Sequence, residues 1–350
     1  MDVRPLDTEC QETMSAWDQL VFDTPGSGYH QYSAWLSAYK SVGLEPHLWG
    51  IFDDAGKLRA GAGAIAVRLP LFGNRIAATL HGPVLPSDAE DLWQEAWPRL
   101  MDCWKQERVA CVQCQPCEYN GASRVSGILD AQGAEKIQPF KAVKLPPATL
   151  SCQLTGMDED GMLSSFRATT RQRVRKSLRN DVRTVPAQTP HELAAIYASY
   201  KQAADRIGFR ARSKQLLTTP LEQMIPRGYA EAIGAYVDER LIGFTVVLKT
   251  RHRRWYFKAG STDEGRKNLV LYRLVWTVLK DAAAAGCAAV DLGERTSDGV
   301  EEFKRGFRPV EEQVVEPRCF RLSRPAVSAY SFVERRVLPY RHKLITLTGR

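Results

Sequence analysis

Residues 291–309 read DLGERTSDGVEEFKRGFRP, and the way this stretch follows what precedes it decides the fold. A strand-like VDLG runs into a polar turn, after which Lys304 stands between Phe303 and Phe307. Upstream, LVLYRLVWTVLKDAAAAG is a helix closed by Gly286, a residue type that takes the left-handed conformation just past a helix end. Before that helix, GYAEAIGAYVDERLIGFTVVLKTRHRRWYFKAGS alternates as strands about a DERL turn. The second half is therefore strand, strand, helix, strand, introduced by a helix over HELAAIYASYKQAADRIG.

The first half gives the same order. HLWGIFDD and GKLRAGAGAIAVRLPLFG are two strands about a DDAGK turn. After the irregular LHGPVLPSD comes a helix, DLWQEAWPRLMDCWKQE, and then a strand, RVACVQCQP, that ends at Pro116. An earlier helix, SAWLSAYKSV, sets Trp35, Tyr39 and Val42 on one face. The prolines of KAVKLPPATLSCQLTG put a boundary near residue 150. The expectation is an α/β chain of two similar units, 1–150 and 151–310. The first is completed by 311–350, which reads as a strand, VEPRCFRLS, and a terminal helix, SAYSFVERRVLPYRHKL.

With 350 residues, 44% hydrophobic and 25% charged, the composition is that of a globular protein with room for two cores. No apolar run reaches the roughly 20 residues a membrane helix needs. The opening MDVRPLDTECQETMSAWDQL lacks a signal-peptide core, so a cytoplasmic protein is expected. A net charge of +8 favours a polyanionic partner, whether nucleic acid, a phosphorylated metabolite or peripheral contact with the inner membrane face. The densest basic run, FRATTRQRVRKSLRNDVR, carries Arg167, Arg171, Arg173, Arg175, Lys176, Arg179 and Arg183 against Asp181. Phe166, Thr170, Val174 and Leu178 recur every four residues, an apolar stripe beneath a cationic surface suited to phosphates. Without interleaved aromatics the segment does not stack on bases.

Eight cysteines in a chain of this length are not a disulfide framework. Cys111, Cys114 and Cys117 lie close together, but residues three apart on a strand point to opposite faces, and no second Cys/His pair follows at finger spacing. No metal is expected. The sequence also lacks a G-x-S-x-G elbow, an H-E-x-x-H pair and a G-K-[ST] phosphate loop. Any chemistry therefore rests on positioning and electrostatics.

Six segments occur in one order: YHQYSAWLSAYKSVG, LHGPVLPSD, FRATTRQRVRKSLRNDVRTV, DRIGFRARS, YFKAGS and DLGERTSDGVEEFKRGF. In this the chain resembles the Fem-type (FemABX-like) aminoacyl-tRNA-dependent transferases over roughly residues 28–310. The resemblance implies two tandem GNAT-like acyltransferase domains, the second carrying the transfer site. It implies an enzyme of peptidoglycan synthesis and cell wall biogenesis. An amino acid would pass from charged tRNA, the co-substrate in place of any cofactor, to an amine on the stem peptide of a phosphorylated, lipid- or nucleotide-linked precursor. Carried over by motif, Lys304 steadies developing negative charge, Lys40 and Arg212 hold the precursor's diphosphate, and Tyr256 lines its channel. The tRNA would meet Arg171, Arg175, Lys176 and Arg179. Asp205 and Glu294 are the acids available to take the amine's proton.

The sequence departs from the family where Leu216 and Leu217 replace tyrosines after Arg212, and where Gln115 replaces an acid before Pro116. The helical hairpin inserted in some members is missing. A second donor also fits the fold: acyl-CoA, for transfer to a cell-envelope or exopolysaccharide sugar precursor. Such enzymes cradle pyrophosphate on a glycine-rich turn at a helix start, and here DEGRKNLVL offers only Gly265. A third reading is a non-catalytic nucleic-acid or envelope-assembly binding protein, against which the retained Lys304 motif speaks.

Overall fold

A computed structural model describes residues 1–68, 73–121, 124–137, 145–295 and 298–336. The chain divides into two compact units, Met1–Pro147 with Val314–Arg350, and Ala148–Gln313. The first contains strands β1 (Asp2–Pro5), β2 (Glu45–Phe52), β3 (Leu58–Arg68), β4 (Arg75–Leu80), β5 (Val109–Gln115) and β13 (Arg318–Arg321). Its main helices are α1 (Gln11–Asp23), α2 (Ser33–Ala38), α3 (Glu90–Gln106), α4 (Arg124–Ala131) and α12 (Arg324–Arg336). The second contains β6 (Ala148–Gln153), β7 (Arg183–Pro186), β8 (Ala230–Val237), β9 (Arg240–Lys249), β10 (Arg253–Ser261), β11 (Ala289–Asp291) and β12 (Val310–Gln313). Its helices are α5 (Glu159–Ser165), α6 (Ala168–Arg179), α7 (Pro190–Ile207), α8 (Lys214–Met224), α9 (Asp263–Lys267), α10 (Val270–Ala284) and α11 (Asp298–Arg305).

Both sheets follow one plan. The first runs β1-β2-β3-β4-β5-β13, the second β12-β6-β11-β10-β9-β8-β7. In each, three antiparallel strands (β2-β3-β4, β8-β9-β10) meet a parallel neighbour (β5, β11), which in turn pairs with an antiparallel strand (β13, β6). A parallel pair cannot be closed by a hairpin and needs a crossover, which α3 and α10 supply. In the second unit the partner of the crossed-over strand comes from the start of the unit, and in the first from the chain's far end.

The apolar pattern sets these helices down. On α3, Trp93, Trp97 and Trp104 pack over Trp49, Ala77 and Val112 of the first sheet. On α10, Leu274, Val275, Val278 and Leu279 pack with Val174 of α6 and Val247 and Tyr256 of the second sheet. The other face of the second sheet looks toward α7, where a Cβ on Gly260 would press on Phe244 and on Ala203 of α7. α7 starts with a capping box, Thr189 and Glu192 each bonding the other's backbone, and stops at Gly208 in the left-handed region.

Three details differ from the sequence expectation. β4 was hidden between the long second strand and the irregular LHGPVLPSD, because every residue of it after Arg75 is buried and the pattern shows no alternation. The SAWLSAYKSV helix tightens to a 3₁₀ turn over Tyr39–Val42, which swings Val42 outward to 41% exposure. Leu178 is 43% exposed and Ser177 is buried in its place. A four-residue step overshoots a 3.6-residue turn by about 40°, so the stripe from Phe166 through Thr170 and Val174 has rotated away by residue 178. The end of the terminal helix, from residue 337, lies outside the described residues.

Candidate active site

α11 carries Lys304 in its last turn. Phe307 is fully buried against Phe166 at 5.2 Å between ring centroids, and Phe303 packs on Tyr272 at 5.0 Å. Two aromatic anchors therefore fix the backbone on either side of the lysine. Its side chain is drawn inward to 8% exposure, and Nζ donates to the Glu294 carbonyl at 2.8 Å. Burial lowers the pKa of this ammonium, while the carboxylates of Asp291, Glu294 and Glu301 oppose the fall.

The parallel ladder between β10 and β11 is short. It runs from Arg253 opposite Ala289 to Trp255 opposite Asp291. Beyond it β10 stays with β9 as far as Ser261, while Leu292 and Gly293 stay with β6 through bonds to Leu150. The two strands part at this point, and the Gly293–Glu294 backbone that meets Lys304 lies on the parting side.

β10 also bulges here. Tyr256 stands opposite Val247 and Lys258 opposite Val246, so Phe257 is the extra residue. Tyr256 shares the α10 face with Val247, buried, and burial pushes its phenol well up. Its hydroxyl lies beside that of Thr245, which opposes the rise, and the Thr245 hydroxyl also donates to the Lys258 carbonyl at 3.2 Å. Val246 faces the other side with Phe244, so the bulge turns Lys258 toward α7 instead of into the core beside Tyr256.

There Lys258 meets Arg212. The Phe257 ring lies 4.9 Å from Lys258 Nζ and 5.4 Å from the Arg212 guanidinium carbon. Arg212 is held by two tyrosines of α7: its amide N–H donates to the Tyr200 hydroxyl and its carbonyl accepts from Tyr197, both at 3.1 Å. Burial, then Arg212 and also Lys304, bring the Lys258 ammonium down to about 8, with the Glu294 carboxylate opposing. Arg212, Lys258, Glu294 and Lys304 thus form one cluster within the second unit. Lys258 was missed by the sequence reading.

The remaining candidates are scattered. Lys40 sits exposed on the 3₁₀ turn of the first unit, and Asp205 is exposed on α7. Arg171 donates to the Ser164 carbonyl at 3.0 Å, Arg173 to the Tyr272 hydroxyl at 2.6 Å, and Arg167 pairs with Glu302. Arg175, Lys176 and Arg179 remain exposed on α6 with no ion-pair partner among the described residues. Gln115 has a structural use: its amide accepts from the Leu145 N–H at 2.8 Å and donates to the Val315 carbonyl at 3.1 Å. Leu217 is buried in α8 and Leu216 is half-buried. Among the described residues no three His, Cys, Asp or Glu side chains are arranged to hold a metal, and no helix is long and apolar enough to cross a membrane.

The DEGRK segment folds as α9, with the Thr262 hydroxyl accepting from the Gly265 N–H at 3.1 Å. A Cβ on Gly265 would collide with the Ile242 carbonyl oxygen, so close passage over β9 accounts for this glycine.

Two mixed sheets, each with three antiparallel strands and a parallel neighbour reached through a helix, define a tandem GNAT-like α/β fold. Residues 164–305 match the family described as an acetyltransferase (GNAT) domain. The whole chain is FemABX-like in fold: it is similar to the crystal structure of FemX with a TM-score of 0.80, at 14% identity over 95% of this chain and 100% of that one. It is also similar to L-PGS from Bacillus licheniformis, with a TM-score of 0.56 at 12% identity over 95% of this chain and 98% of that one. A third likeness is to the C-terminal domain of a putative lysylphosphatidylglycerol synthetase from Agrobacterium fabrum, with a TM-score of 0.55 at 13% identity over 98% and 100% of the two chains. No curated protein matches the chain by sequence.

Proposed function

We propose that the protein is an aminoacyltransferase that moves an amino acid from charged tRNA to an amine of a peptidoglycan-precursor stem peptide. The observation that carries this is the buried Lys304 ammonium, held at 2.8 Å by the Glu294 carbonyl where β10 and β11 part. An aminoacyl ester is already activated, so transfer needs alignment, loss of a proton from the amine, and stabilisation of the tetrahedral oxyanion. Alignment supplies about 7–11 kcal/mol and a fixed donor to the oxyanion about 3–4 kcal/mol. Lys304 is that donor, in surroundings that burial makes less polarisable than water.

Arg212 supplies a cation for the acceptor's phosphates, and Lys40 of the first unit is assigned the same task. Tyr256 is a packed core residue, so a role at the channel falls to its backbone and to the bulge that follows it. The exposed Arg175, Lys176 and Arg179 are the strongest candidates for tRNA phosphates, with Arg171 beside them. The likeness to proteins named FemX and lysylphosphatidylglycerol synthetase supports an aminoacyl donor.

Acyl-CoA is the alternative donor, for an amine on a cell-envelope sugar precursor, and the GNAT match supports it. The single, sterically required Gly265 at α9 argues against a pyrophosphate cradle there. The deciding experiment offers charged tRNA or acetyl-CoA together with a panel of amine acceptors and reads the product by mass. Product from tRNA alone is expected. Product from acetyl-CoA alone refutes the donor assignment, and silence with both refutes transfer.

A further inference from the structure

A transfer site needs a place for the proton that the attacking amine gives up. The two acids available in the sequence serve poorly. Asp205 is exposed on α7, and Glu294 is exposed with its backbone already bonded to Lys304. The bulge at Phe257 brings a different group into the cluster. Strict alternation would have buried Lys258 beside Tyr256, but the extra residue turns it toward α7, half-buried, against the Phe257 ring it shares with Arg212. Such bulges re-aim a single side chain, and this one stands on a rigid strand next to the parting of the sheet.

We propose that Lys258 Nζ is the proton acceptor for the incoming amine, taking a proton from the attacking nitrogen as the new C–N bond forms and returning it to the departing ester oxygen as the C–O bond breaks. The step balances: amine and aminoacyl ester become amide and alcohol, and Lys258 ends as it began. The assignment rests on the aminoacyl-transfer reading above.

The surroundings divide two like residues between two tasks. Lys304 has three carboxylates near it, those of Asp291, Glu294 and Glu301, which favour its charged form. Among the described residues Lys258 has the Glu294 carboxylate, set against the cations Arg212 from the loop after α7 and Lys304 from α11. α7 supplies the phenols of Tyr197 and Tyr200 that hold the Arg212 backbone, β9 the apolar Val246 opposite Lys258, and α10 lies on the other face of the strand. Lys258 therefore titrates at about 8, near the pH at which a general base works best, while Lys304 is helped to keep its proton. Burial lowers both ammoniums, and the difference between them lies in the carboxylates that oppose the fall at Lys304 and the cations that deepen it at Lys258.

The test compares K258A and K258R in transfer from charged tRNA, with trimethylamine, which cannot be acylated to an amide, as the rescuing base. Both variants should lose about 10²–10⁴-fold in kcat. Trimethylamine should restore K258A at least about tenfold, and the wild-type rise of kcat/KM toward pH 8 should vanish in both. K258R working above about a tenth of the wild-type rate would mean that charge alone is needed, and overturns the proposal. Independently of turnover, competitive acetylation of the folded protein by acetic anhydride between pH 6 and 11, read by mass spectrometry, gives the Lys258 titration directly. A midpoint near 8 that climbs in K304M supports the assignment, and one near the ordinary 10.5 overturns it. A wild type that transfers from neither donor refutes the underlying reading of the reaction, and with it this role, whatever the titration shows.

Discussion

Replacing Lys304 by methionine removes one ammonium and keeps a side chain of similar length. The lost group is 8% exposed and donates a hydrogen bond to the Glu294 carbonyl. Removing one member of a buried charge group is costly where the other is left unpaired, but the buried Asp291 near Lys304 keeps Arg253 at 3.5 Å, and the carbonyl left behind belongs to an exposed residue. Thermal unfolding should therefore move by no more than a few degrees. Transfer should fall far more. A donor fixed in place before reaction contributes about 3–4 kcal/mol to the oxyanion, which corresponds to a loss of about 10²–10³-fold in kcat. KM should stay nearly constant, because the interaction strengthens only as charge develops. The assay is single-turnover transfer of a labelled amino acid from charged tRNA, quenched over a time course, with circular dichroism melting of the same preparations. A folded K304M protein that keeps more than about a tenth of the wild-type rate retains all but about 1.4 kcal/mol of the stabilisation. The oxyanion role would then be wrong.

The triple variant R175A/K176A/R179A should bind tRNA more weakly and with a shallower salt dependence, by about 0.7–0.9 in the log–log slope for each lost phosphate contact; filter binding at several salt concentrations reads this, and an unchanged slope moves the RNA elsewhere. Val174→Ala should cost about 2 kcal/mol in urea unfolding, because the side chain is 0% exposed between α6 and α10, whereas Leu178→Ala at 43% exposure should stay within about 0.5 kcal/mol. Gly265→Ala should destabilise by about 1–3 kcal/mol, since its methyl meets the Ile242 backbone, which cannot rotate away. Lys258 also sets a pH signature on stability. Its folded pKa of about 8 lies under the 10.5 of a free lysine, so between these values the unfolded chain binds more protons and stability rises with pH. Lys258→Met should therefore gain most over the wild type at pH 7 and lose that advantage as the pH approaches 10.5, as chemical denaturation at pH 7 and 9.5 will show.

What the sequence made legible and what it hid have physical causes. Helices with a wide apolar face, such as α3, α7 and α10, declare their period, and so do strands that meet at a short polar turn, such as β2 with β3 and β8 with β9. β4 is buried on both faces after Arg75 and carries no alternation, so it merged with its neighbours. α6 shows how a rule of fours misleads: Thr170 and Val174 are right because one step of drift is tolerable, and Leu178 fails because the drift has accumulated. Lys304 could be singled out because two aromatic residues bracket it, and those aromatics pack on Phe166 and Tyr272 to either side of the buried lysine.

Lys258 was concealed by a local irregularity instead. In YFKAGS an unbroken strand would set Lys258 on the face of Tyr256, inside an apolar core, where a cation has no place. A lysine two residues from a core tyrosine in an otherwise buried strand was itself the signal, because the chain can relieve that conflict only by slipping one residue. The bulge at Phe257 is that slip. It transfers the side chain to the α7 face, where Arg212 and Lys304 lower its proton affinity and Glu294 limits the fall. The conflict between a charged residue and its expected burial is thus the cause of the bulge, and the bulge is what joins a strand residue to a cluster otherwise assembled from loops and a helix end. If that coupling is correct, deleting Phe257 should remove the bulge yet leave Lys258 opposite Val246 on the α7 face, because it would then follow Tyr256 directly and adjacent strand residues point to opposite sides. A folded deletion variant should therefore keep measurable transfer where K258A does not, and its complete loss would sink the link between face and function.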